Sequence, residues 1–272
     1  MPTSETQSLH RAVAILDCFQ ENQPELGVRE IARQLVLHPS TVGRILTTLT
    51  SLEILTQDPD TRRYRLGSKV LKWSTLYMSN MDLRVVARPY MQELNRSTEE
   101  TISLDIPDGQ TRLCVERIES PHKLRWVKQL GERMPFFASA SGRTLLAFMD
   151  PNQQDVILAT TPFEQLTVHT TTDLRIFRQE LDLTRKRGYA ISVSERVEGV
   201  SCVAAPIFDT SEKIIGAVTI SGPSTRFSQQ KITEYAELLT RTTDKISQAM
   251  GRQHPSEKKE LAFLVTDAPI QT

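Results

Sequence analysis

The feature that most constrains the fold is the apolar spacing between residues 28 and 52. A short helical pattern over residues 28–35 is followed, three residues later, by a longer one that begins near Pro39. Proline suits the first turn of a helix, because its missing N–H would have no intrahelical partner there. The apolar positions of the longer pattern recur at i, i+3, i+4, i+7 and i+10, and they are Val42, Ile45, Leu46, Leu49 and Leu52. The spacing therefore predicts two helices joined by a three-residue turn.

The segments on either side of these two predicted helices complete a known arrangement of secondary structure. A helical pattern runs from Ser8 to Phe19, and residues 54–67 contain two strand-like stretches around Asp58-Pro59-Asp60-Thr61. That tetrapeptide is rich in turn formers, so the segment predicts a hairpin. Three helices followed by a hairpin are typical of a winged helix-turn-helix, whose third helix enters the major groove of DNA while the wing reaches the phosphate backbone.

The rest of the chain predicts a second domain of the α+β class. Residues 1–67 would form the winged helix-turn-helix, 68–98 linker helices, 99–252 a sensor-like domain and 253–272 a flexible tail. Strand-like and helical segments alternate in the third range, which indicates a mostly antiparallel sheet flanked by helices. The predicted strands begin at residues 101, 111, 123, 189, 200 and 214.

Charge is balanced overall but not locally. The 33 Lys+Arg and 33 Asp+Glu give a formal net charge of zero, which excludes binding to nucleic acid by bulk charge. Residues 61–81, however, hold five basic residues and no acidic one, and Arg62 and Arg63 are placed to meet phosphate. On the third helix, we expect Arg44 to read a guanine edge. The rest of that polar face consists of Ser40, Thr41, Thr47 and Thr48.

Two other interpretations of these features stay open. A polar helix face is often only solvated, although the helices and the basic hairpin together favour DNA binding. A winged helix can also act purely as a protein-interaction or sensor module, without sequence-specific DNA binding.

The chain lacks the signatures of several other classes of protein. Cys18, Cys114 and Cys202 are far apart and form no zinc-binding or redox pair, so we expect reduced thiols, a cytoplasmic location and no metal or cofactor. No apolar run is long enough to span a membrane. No phosphate loop, nucleophile elbow or two-histidine metal spacing is present, which argues against an enzyme.

Several segments in order resemble the isocitrate-lyase-regulator (IclR) family of bacterial transcription factors. They are REIARQLVLHPSTVGRILTTLTSLEIL, RRYRLG, LGERMPFFASASGRTLLAFM, RKRGYAIS, ERVEGVSCVAAPIFD and GAVTISGP. The resemblance implies a winged helix, a linker helix and a GAF-like domain that binds a small effector. It also implies a homodimer or a dimer of dimers on operator DNA near catabolic operons. The chain departs from the family at Val36 and Glu53, where glycine is usual, and a β-branched residue with a positive φ would be strained.

A candidate effector site lies in the second domain. A helix that starts near residues 139–141 favours an anion at its exposed N–H groups, and a carboxylate is the natural guest. The resemblance implies that Ala140, Ser141 and Gly142 hold this carboxylate. It adds polar contacts from Ser192, Cys202, Thr219 and Ser221, and apolar walls from Trp126, Met134 and Val200, which would suit a hydrophobic or aromatic body on the ligand.

These site residues also have ordinary structural explanations. Cys202, Trp126 and Met134 taken singly are more often core residues than ligand contacts. Thr219 and Ser221 are two apart on a predicted strand and therefore face the same side, which strengthens the assignment of both.

Overall fold

The computed structural model describes residues 4–20, 22–79 and 82–252, and the chain divides into two units between residues 81 and 82. In the first unit, three helices, α1 (Ser4–Leu16), α2 (Val28–Gln34) and α3 (Pro39–Ser51), precede a hairpin of β1 (Leu55–Gln57) and β2 (Tyr64–Leu66) and a fourth helix, α4 (Ser68–Ser79). The two strands are antiparallel. This order confirms the predicted winged helix-turn-helix.

The core of the first unit is built from the apolar faces of its helices. Ile15, Ile31, Val42 and Leu46 are fully buried in one cluster with Leu26. Pro39 occupies the first turn of α3, and the side chain of the preceding residue, His38, accepts a hydrogen bond from the Ser40 N–H. The predicted spacing of α3 therefore corresponds to the buried face.

Both positions that lack the usual glycine have a positive φ. Val36, in the turn between α2 and α3, has a φ of 52°, and Glu53, just after α3, has a φ of 59°. Val36 therefore adopts the left-handed conformation that glycine usually provides in this turn, and its β-branched side chain makes that conformation strained. Val36 is 91% exposed, so its side chain adds little packing to offset that strain.

The second unit begins with α5 (Asp82–Thr98) and contains one six-stranded antiparallel sheet in the order β5-β4-β3-β8-β7-β6. The strands are β3 (Thr101–Asp108), β4 (Thr111–Ile118), β5 (Arg133–Met134), β6 (Ala190–Val193), β7 (Val200–Phe208) and β8 (Ile214–Pro223). The other helices are α6 (Ala140–Phe148), α7 (Pro151–Thr160), α8 (Leu174–Arg187), α9 (Gln229–Ala249) and a short 3-10 turn (Ser224–Arg226). Helices α6 and α8 pack together, as do α5 and α9, and both pairs contact the sheet. The α+β prediction is confirmed.

The strand predicted from residue 123 is wrong. Residues 119–132 form an irregular loop, after which only the two residues of β5 join the sheet. Two loop carbonyls accept hydrogen bonds from side chains: Thr101 donates to the Trp126 carbonyl at 2.6 Å, and Arg117 donates to the Lys128 carbonyl. At the end of the loop the backbone pairs with Cys114 of β4, whose N–H donates to the Glu132 carbonyl and whose carbonyl accepts from the Gly131 N–H. Leu124 and Leu130 are 69% and 47% exposed, whereas Lys128 is buried, so the apolar pattern of this segment does not correspond to a buried face.

The linker predicted over residues 68–98 corresponds to α4 and α5, which belong to different units. The predicted tail, residues 253–272, lies outside the described residues. In the described part of the chain, no helix combines the length and the apolar character that crossing a membrane requires.

Replacing Val36 with glycine should raise the free energy of unfolding of the first unit by about 0.5–1 kcal/mol. The left-handed conformation costs a side-chain-bearing residue about 1–2 kcal/mol, and the greater freedom of glycine in the unfolded chain offsets part of the gain. Urea unfolding of the full-length protein measures the effect. Val36→Thr, which keeps the β-branch at this exposed position, is the control and should change little; equal stabilisation by threonine would contradict the strain argument.

Candidate functional site

The polar face of α3 is presented to solvent. Val42, Leu46 and Leu49 are buried on the other side of the helix, which fixes its orientation. Thr41 is half-buried. The exposed residues of the predicted contact set on this helix are Ser40, Arg44, Thr47 and Thr48.

Three hydroxyl groups on this face already have partners nearby in the chain. Thr47 donates to the Gly43 carbonyl at 2.9 Å, and Thr48 donates to the Arg44 carbonyl at 3.1 Å. The Ser40 hydroxyl lies 2.7 Å from His38 Nδ1. The Arg44 guanidinium makes no ion pair with any described residue, so it is the cation of this face that is free to reach a base.

The wing has a tight turn that presents Arg62. The Asp58 carboxylate accepts hydrogen bonds from the Asp60 and Thr61 N–H groups and from the Thr61 hydroxyl, at 2.8–3.0 Å. These bonds, those from Thr61 first, lower the pKa of Asp58. Arg62 follows with a φ of 57° and an exposed side chain. Its position suits a backbone phosphate, as the sequence predicts.

Arg63 is placed differently from the expectation. Its Nη2 donates to the Glu30 carboxylate at 2.8 Å and to the Glu25 carbonyl at 2.9 Å. Glu30 also accepts from the Gly27 N–H at 2.7 Å, and this bond, followed by the Arg63 contact, lowers the pKa of Glu30. Arg63 therefore ties the wing to the start of α2 instead of extending toward DNA.

In the second unit, a row of small polar residues crosses the sheet. Ser192 on β6 pairs with Cys202 on β7, which pairs with Ser221 on β8. Thr219, two residues before Ser221, pairs with Ser103 on β3. Because paired residues in neighbouring strands point to the same face, all five side chains meet on one side of the sheet.

These residues line a cavity of about 50 Å³. Seven of the ten predicted effector contacts are on its wall, namely Trp126, Ser141, Ser192, Val200, Cys202, Thr219 and Ser221. Ala140, Gly142 and Met134 are not on the wall.

Local contacts keep Ala140, Gly142 and Met134 off the cavity wall. The Ala140 N–H bonds to the Cys202 thiol, and the Gly142 N–H donates to the Ser139 hydroxyl at 3.1 Å. Gly142 approaches the chain so closely that a Cβ there would lie 2.0 Å from the Phe136 carbonyl oxygen. Met134 is 1% exposed and accepts a hydrogen bond from Arg112 at 3.5 Å. Their role is to build the start of α6 and the wall behind it, whereas Ser141 faces the cavity.

The hydroxyl of Thr219 is the unusual feature of this wall. It is buried and has no hydrogen-bond partner among the described residues. The neighbouring Ser221 hydroxyl makes only a long bond, 3.4 Å, to the Thr101 carbonyl. Buried polar groups are nearly always paired, so a partnerless hydroxyl on a cavity wall is a candidate for contact with a ligand or an ordered water.

Two charged residues of the wall are absent from the sequence-based set. Arg112 and Lys128 line the cavity although they are only 1% and 7% exposed. Both bind the buried carboxylate of Asp105: Lys128 Nζ lies 2.5 Å, and Arg112 Nη1 3.0 Å, from Oδ2. The sequence contains a signal for such partners: the aspartate in the apolar strand TISLDI needs a charged partner when it is buried.

The ionisation of this cluster follows from burial and charge together. Burial acts to raise the pKa of Asp105, but the charges of Lys128 and Arg112 outweigh it, so the pKa is lowered and the carboxylate is ionised. Burial lowers the pKa of both cations, and Asp105 opposes that change.

The two cysteines near the cavity are protonated thiols. Burial raises the pKa of Cys114 to about 12 and also raises that of Cys202. A thiol that stays protonated at neutral pH is a poor nucleophile, so neither residue provides catalytic chemistry.

Known proteins match both units. Residues 8–59 match the model of the IclR helix-turn-helix domain, and residues 75–248 match that of the C-terminal domain of the bacterial transcriptional regulator IclR. The HTH-type transcriptional regulator KdgR of Escherichia coli K12 is 32% identical over 244 residues, which cover 90% of this chain and 92% of KdgR.

Solved structures agree with this result. The crystal structure of the Thermotoga maritima IclR superposes with a TM-score of 0.77 and 28% identity over 90% of this chain and 99% of that one. An IclR homologue from Microbacterium hydrocarbonoxydans, solved in complex with 4-hydroxybenzoate, gives a TM-score of 0.76 at 24% identity, over 89% of this chain and 98% of that one. This chain therefore belongs to the IclR family of DNA-binding transcriptional regulators, which are not enzymes.

Proposed function

We propose that the protein controls a catabolic operon, as repressor or activator, in response to a small organic acid bound in the cavity of the second unit. The observation that carries this proposal is the buried, partnerless hydroxyl of Thr219 on a wall that also includes Ser141, in the first turn of α6. A helix N-terminus favours negative charge, and a hydroxyl donor beside it completes a site for a carboxylate oxygen. Trp126 and Val200 on the same wall suit the apolar body of the acid.

The complex of the Microbacterium homologue supports an acid as the effector, because its ligand, 4-hydroxybenzoate, is a small carboxylate. At 24% identity, that complex supports only the chemical class of the ligand. The shape of the acid that fits this protein depends on the wall residues of this chain. The alternative, a winged helix that serves only protein contacts, is disfavoured by the match of residues 8–59 to the IclR helix-turn-helix domain and by the similarity to the HTH-type regulator KdgR.

The first unit also carries exposed apolar side chains on two of its helices, which fit a homodimer. On α1, Leu9 and Val13 are 71% and 58% exposed, and on α4, Leu71 and Trp73 are 71% and 48% exposed. We infer that a second copy of the chain covers these side chains, as a dimer or a dimer of dimers. Two copies would present two α3 helices to two half-sites of operator DNA about one helical turn apart. Since the target is bacterial chromosomal DNA, we infer a cytoplasmic location.

Effector control then requires that the acid binds one arrangement of the dimer more tightly than the other. A ligand shifts a conformational equilibrium only by its differential affinity for the two states. We infer that binding in the cavity changes the relative population of DNA-competent dimers.

Arg44→Ala should relax base preference, and Arg62→Ala should weaken binding to all duplexes. Loss of a guanine contact costs about 1–3 kcal/mol of discrimination at one base pair of each half-site, whereas loss of a phosphate contact reduces the salt dependence by about one unit per half-site. Duplexes are first selected from a random library with the wild-type protein, and equilibrium binding is then measured. Arg241→Ala, on the exposed face of α9, is the control. If the library yielded no enriched duplex, the protein-interaction alternative would stand.

Arg63→Ala should lower the stability of the first unit by about 1 kcal/mol, because Glu30 and the Glu25 carbonyl lose a partly buried donor. DNA affinity should fall less than in Arg62→Ala. Arg65→Ala is the matched control: Arg65 lies 3.7 Å from Glu25 with a side chain 58% exposed, so unfolding should change by less than about 0.5 kcal/mol. Unchanged stability in Arg63→Ala, with a DNA defect equal to that of Arg62→Ala, would place Arg63 on DNA instead.

Thr219→Val should have opposite effects on stability and on ligand binding. Removing a buried unsatisfied hydroxyl should stabilise the free protein by about 1 kcal/mol, and loss of the contact should weaken binding of the acid about 3- to 10-fold. A thermal-shift screen of aliphatic and aromatic carboxylates identifies the ligand, since a hundredfold excess over Kd stabilises by about 2.7 kcal/mol. Thr184→Val, a buried threonine of α8 whose hydroxyl donates to the Glu180 carbonyl, is the control and should leave affinity unchanged. A full thermal shift in the double variant Thr219→Val, Ser221→Ala would show that the site lies elsewhere.

A further inference from the structure

The cavity lined by the row of small polar residues has room for an acidic group but not for a whole effector. Its volume is about 50 Å³. A single water needs roughly 10–15 Å³ of such space, and benzene binds in an apolar cavity of about 150 Å³. A carboxylate therefore fits beside Ser141 and Thr219, whereas an aromatic ring or a longer apolar chain needs space elsewhere.

A larger cavity shares three wall residues with the first. Its volume is about 370 Å³, and small-molecule sites typically occupy roughly 300–1,000 Å³. Arg112, Ala138 and Arg196 line both cavities and therefore separate them. The rest of the larger wall is mainly apolar and comes from Pro135, Phe137, Pro162, Glu164 and Leu166.

Two of the three shared residues are fixed in place. Arg112 is 1% exposed, and its guanidinium bonds to Asp105, to the Pro135 carbonyl and to Met134 Sδ. Ala138 is buried, and its methyl side chain has no alternative rotamer. Neither residue can open a passage between the cavities.

The third shared residue, Arg196, is held more weakly. Its side chain is 31% exposed, contacts Met134 Sδ and pairs at 2.6 Å with Glu132, which is equally exposed. Ion pairs that solvent reaches in this way contribute little to stability. Burial and the like charge of Arg196 lower the pKa of Arg112, against the effect of Asp105, so the two guanidinium groups repel each other. The Arg196 side chain can therefore turn away from the partition at low cost.

The backbone beside Arg196 does not have the same freedom. The hydroxyl groups of Thr167 and Thr170 donate to the Ser194 and Glu195 carbonyls, each at 2.6 Å. These bonds fix the loop of residues 194–199 between β6 and β7. A passage between the cavities thus requires rotation of one side chain and no rearrangement of the loop.

The wall of the larger cavity indicates what kind of group enters it. The wall is mainly apolar, its two cations, Arg112 and Arg196, already bind carboxylates of the protein, and Glu164 adds an exposed carboxylate. An additional acidic group would gain no partner on this wall, whereas an apolar group would be removed from water.

We propose that the larger cavity is a second part of the effector site. The carboxylate of the acid binds beside Ser141 and Thr219, and an uncharged apolar body passes the displaced Arg196 side chain into the larger cavity. The effector is accordingly a monocarboxylic acid whose body is longer than the first cavity. This inference rests on the proposed function, because it extends the site of the same acid.

The first test measures affinity against chain length. Acetate, butyrate, hexanoate and octanoate are titrated calorimetrically into the full-length protein, with weak ligands measured by displacement of a tighter one. Each methylene that enters the larger cavity should raise the affinity about fourfold, and we expect at least about a thirtyfold gain from butyrate to octanoate. Absence of this gain, including no binding of octanoate, would overturn the proposal. Failure of every carboxylate in the thermal-shift screen as well would reject the acid effector itself.

A variant of Leu166 tests where the apolar body lies. Leu166 is on the wall of the larger cavity only and is 43% exposed, so Leu166→Asp should fold. It should weaken octanoate about fivefold or more, through loss of apolar contact, and change butyrate less than twofold. Val168→Asp makes the same change of charge in the same loop, at an 80% exposed position on neither wall, and should change neither affinity. Equal effects of Leu166→Asp on the two acids would place the body outside this cavity.

A variant of Arg196 tests the partition. Arg196→Ala should raise the ratio of octanoate to butyrate affinity about two- to fivefold, because the longer acid no longer has to displace the side chain from Glu132. The ratio cancels the loss of positive charge, which both acids experience. Arg133→Ala, at an exposed position of β5, is the control and should leave the ratio unchanged. A ratio that stays constant or falls in Arg196→Ala would contradict the role of this side chain as a partition, and the Leu166 variant decides the question should Arg196→Ala not fold.

Discussion

Burial of the Asp105 carboxylate in the middle of β3 is the constraint around which the second unit is organised. A charged group with 0% exposure requires strong partners, and they come from three separate parts of the chain: Arg112 on β4, Lys128 in the loop of residues 119–132, and Ser141 at the start of α6. The carboxylate therefore fixes the loop, which has almost no strand pairing of its own, and sets the position of α6 over the sheet. The cavity is the space that these elements leave between them.

A carboxylate plays a comparable part in the first unit, but at a more exposed site. Glu30 caps α2 through the Gly27 N–H and holds the wing through Arg63. The two contacts join the helix-turn-helix to the hairpin, so the direction of the Arg62 side chain depends on a residue at the start of α2. Because Arg63 and Glu30 are about one-third exposed, solvent screens the pair and the linkage is weaker than that of Asp105.

Local sequence patterns predicted most helices and strands and the row of small polar residues across the sheet. The cluster of Asp105, Arg112 and Lys128 depends instead on contacts between residues far apart in the sequence. The periodicity of α3 and the alternation along β8 place Val42 in a core and Thr219 beside Ser221 on one face. Lys128 lies 23 residues from Asp105, and no periodic rule connects a loop lysine to a strand aspartate. Arg63 and Glu30 are 33 residues apart, so local patterns do not predict their ion pair either. In the segment from residue 123, Leu124 and Leu130 are exposed and the buried side chain is that of Lys128, so the pattern that predicts a strand does not mark a buried face.

The sharing of one buried carboxylate, that of Asp105, by Lys128 and Arg112 also bears on how an effector can act. A site that is electrostatically unfavourable when empty gains most when a matching anion enters, so part of the ligand's binding energy is relief of a cost already present in the free protein. Such relief changes the conformational equilibrium only if the cost differs between the two states of the dimer. The Asp105 cluster meets that condition if the loop of residues 119–132 shifts between the states, because Lys128 would then lie closer to, or farther from, its shared carboxylate. The loop is held mainly by side chains rather than by a strand ladder, so it is the part of the wall that can move at the least cost in backbone hydrogen bonds.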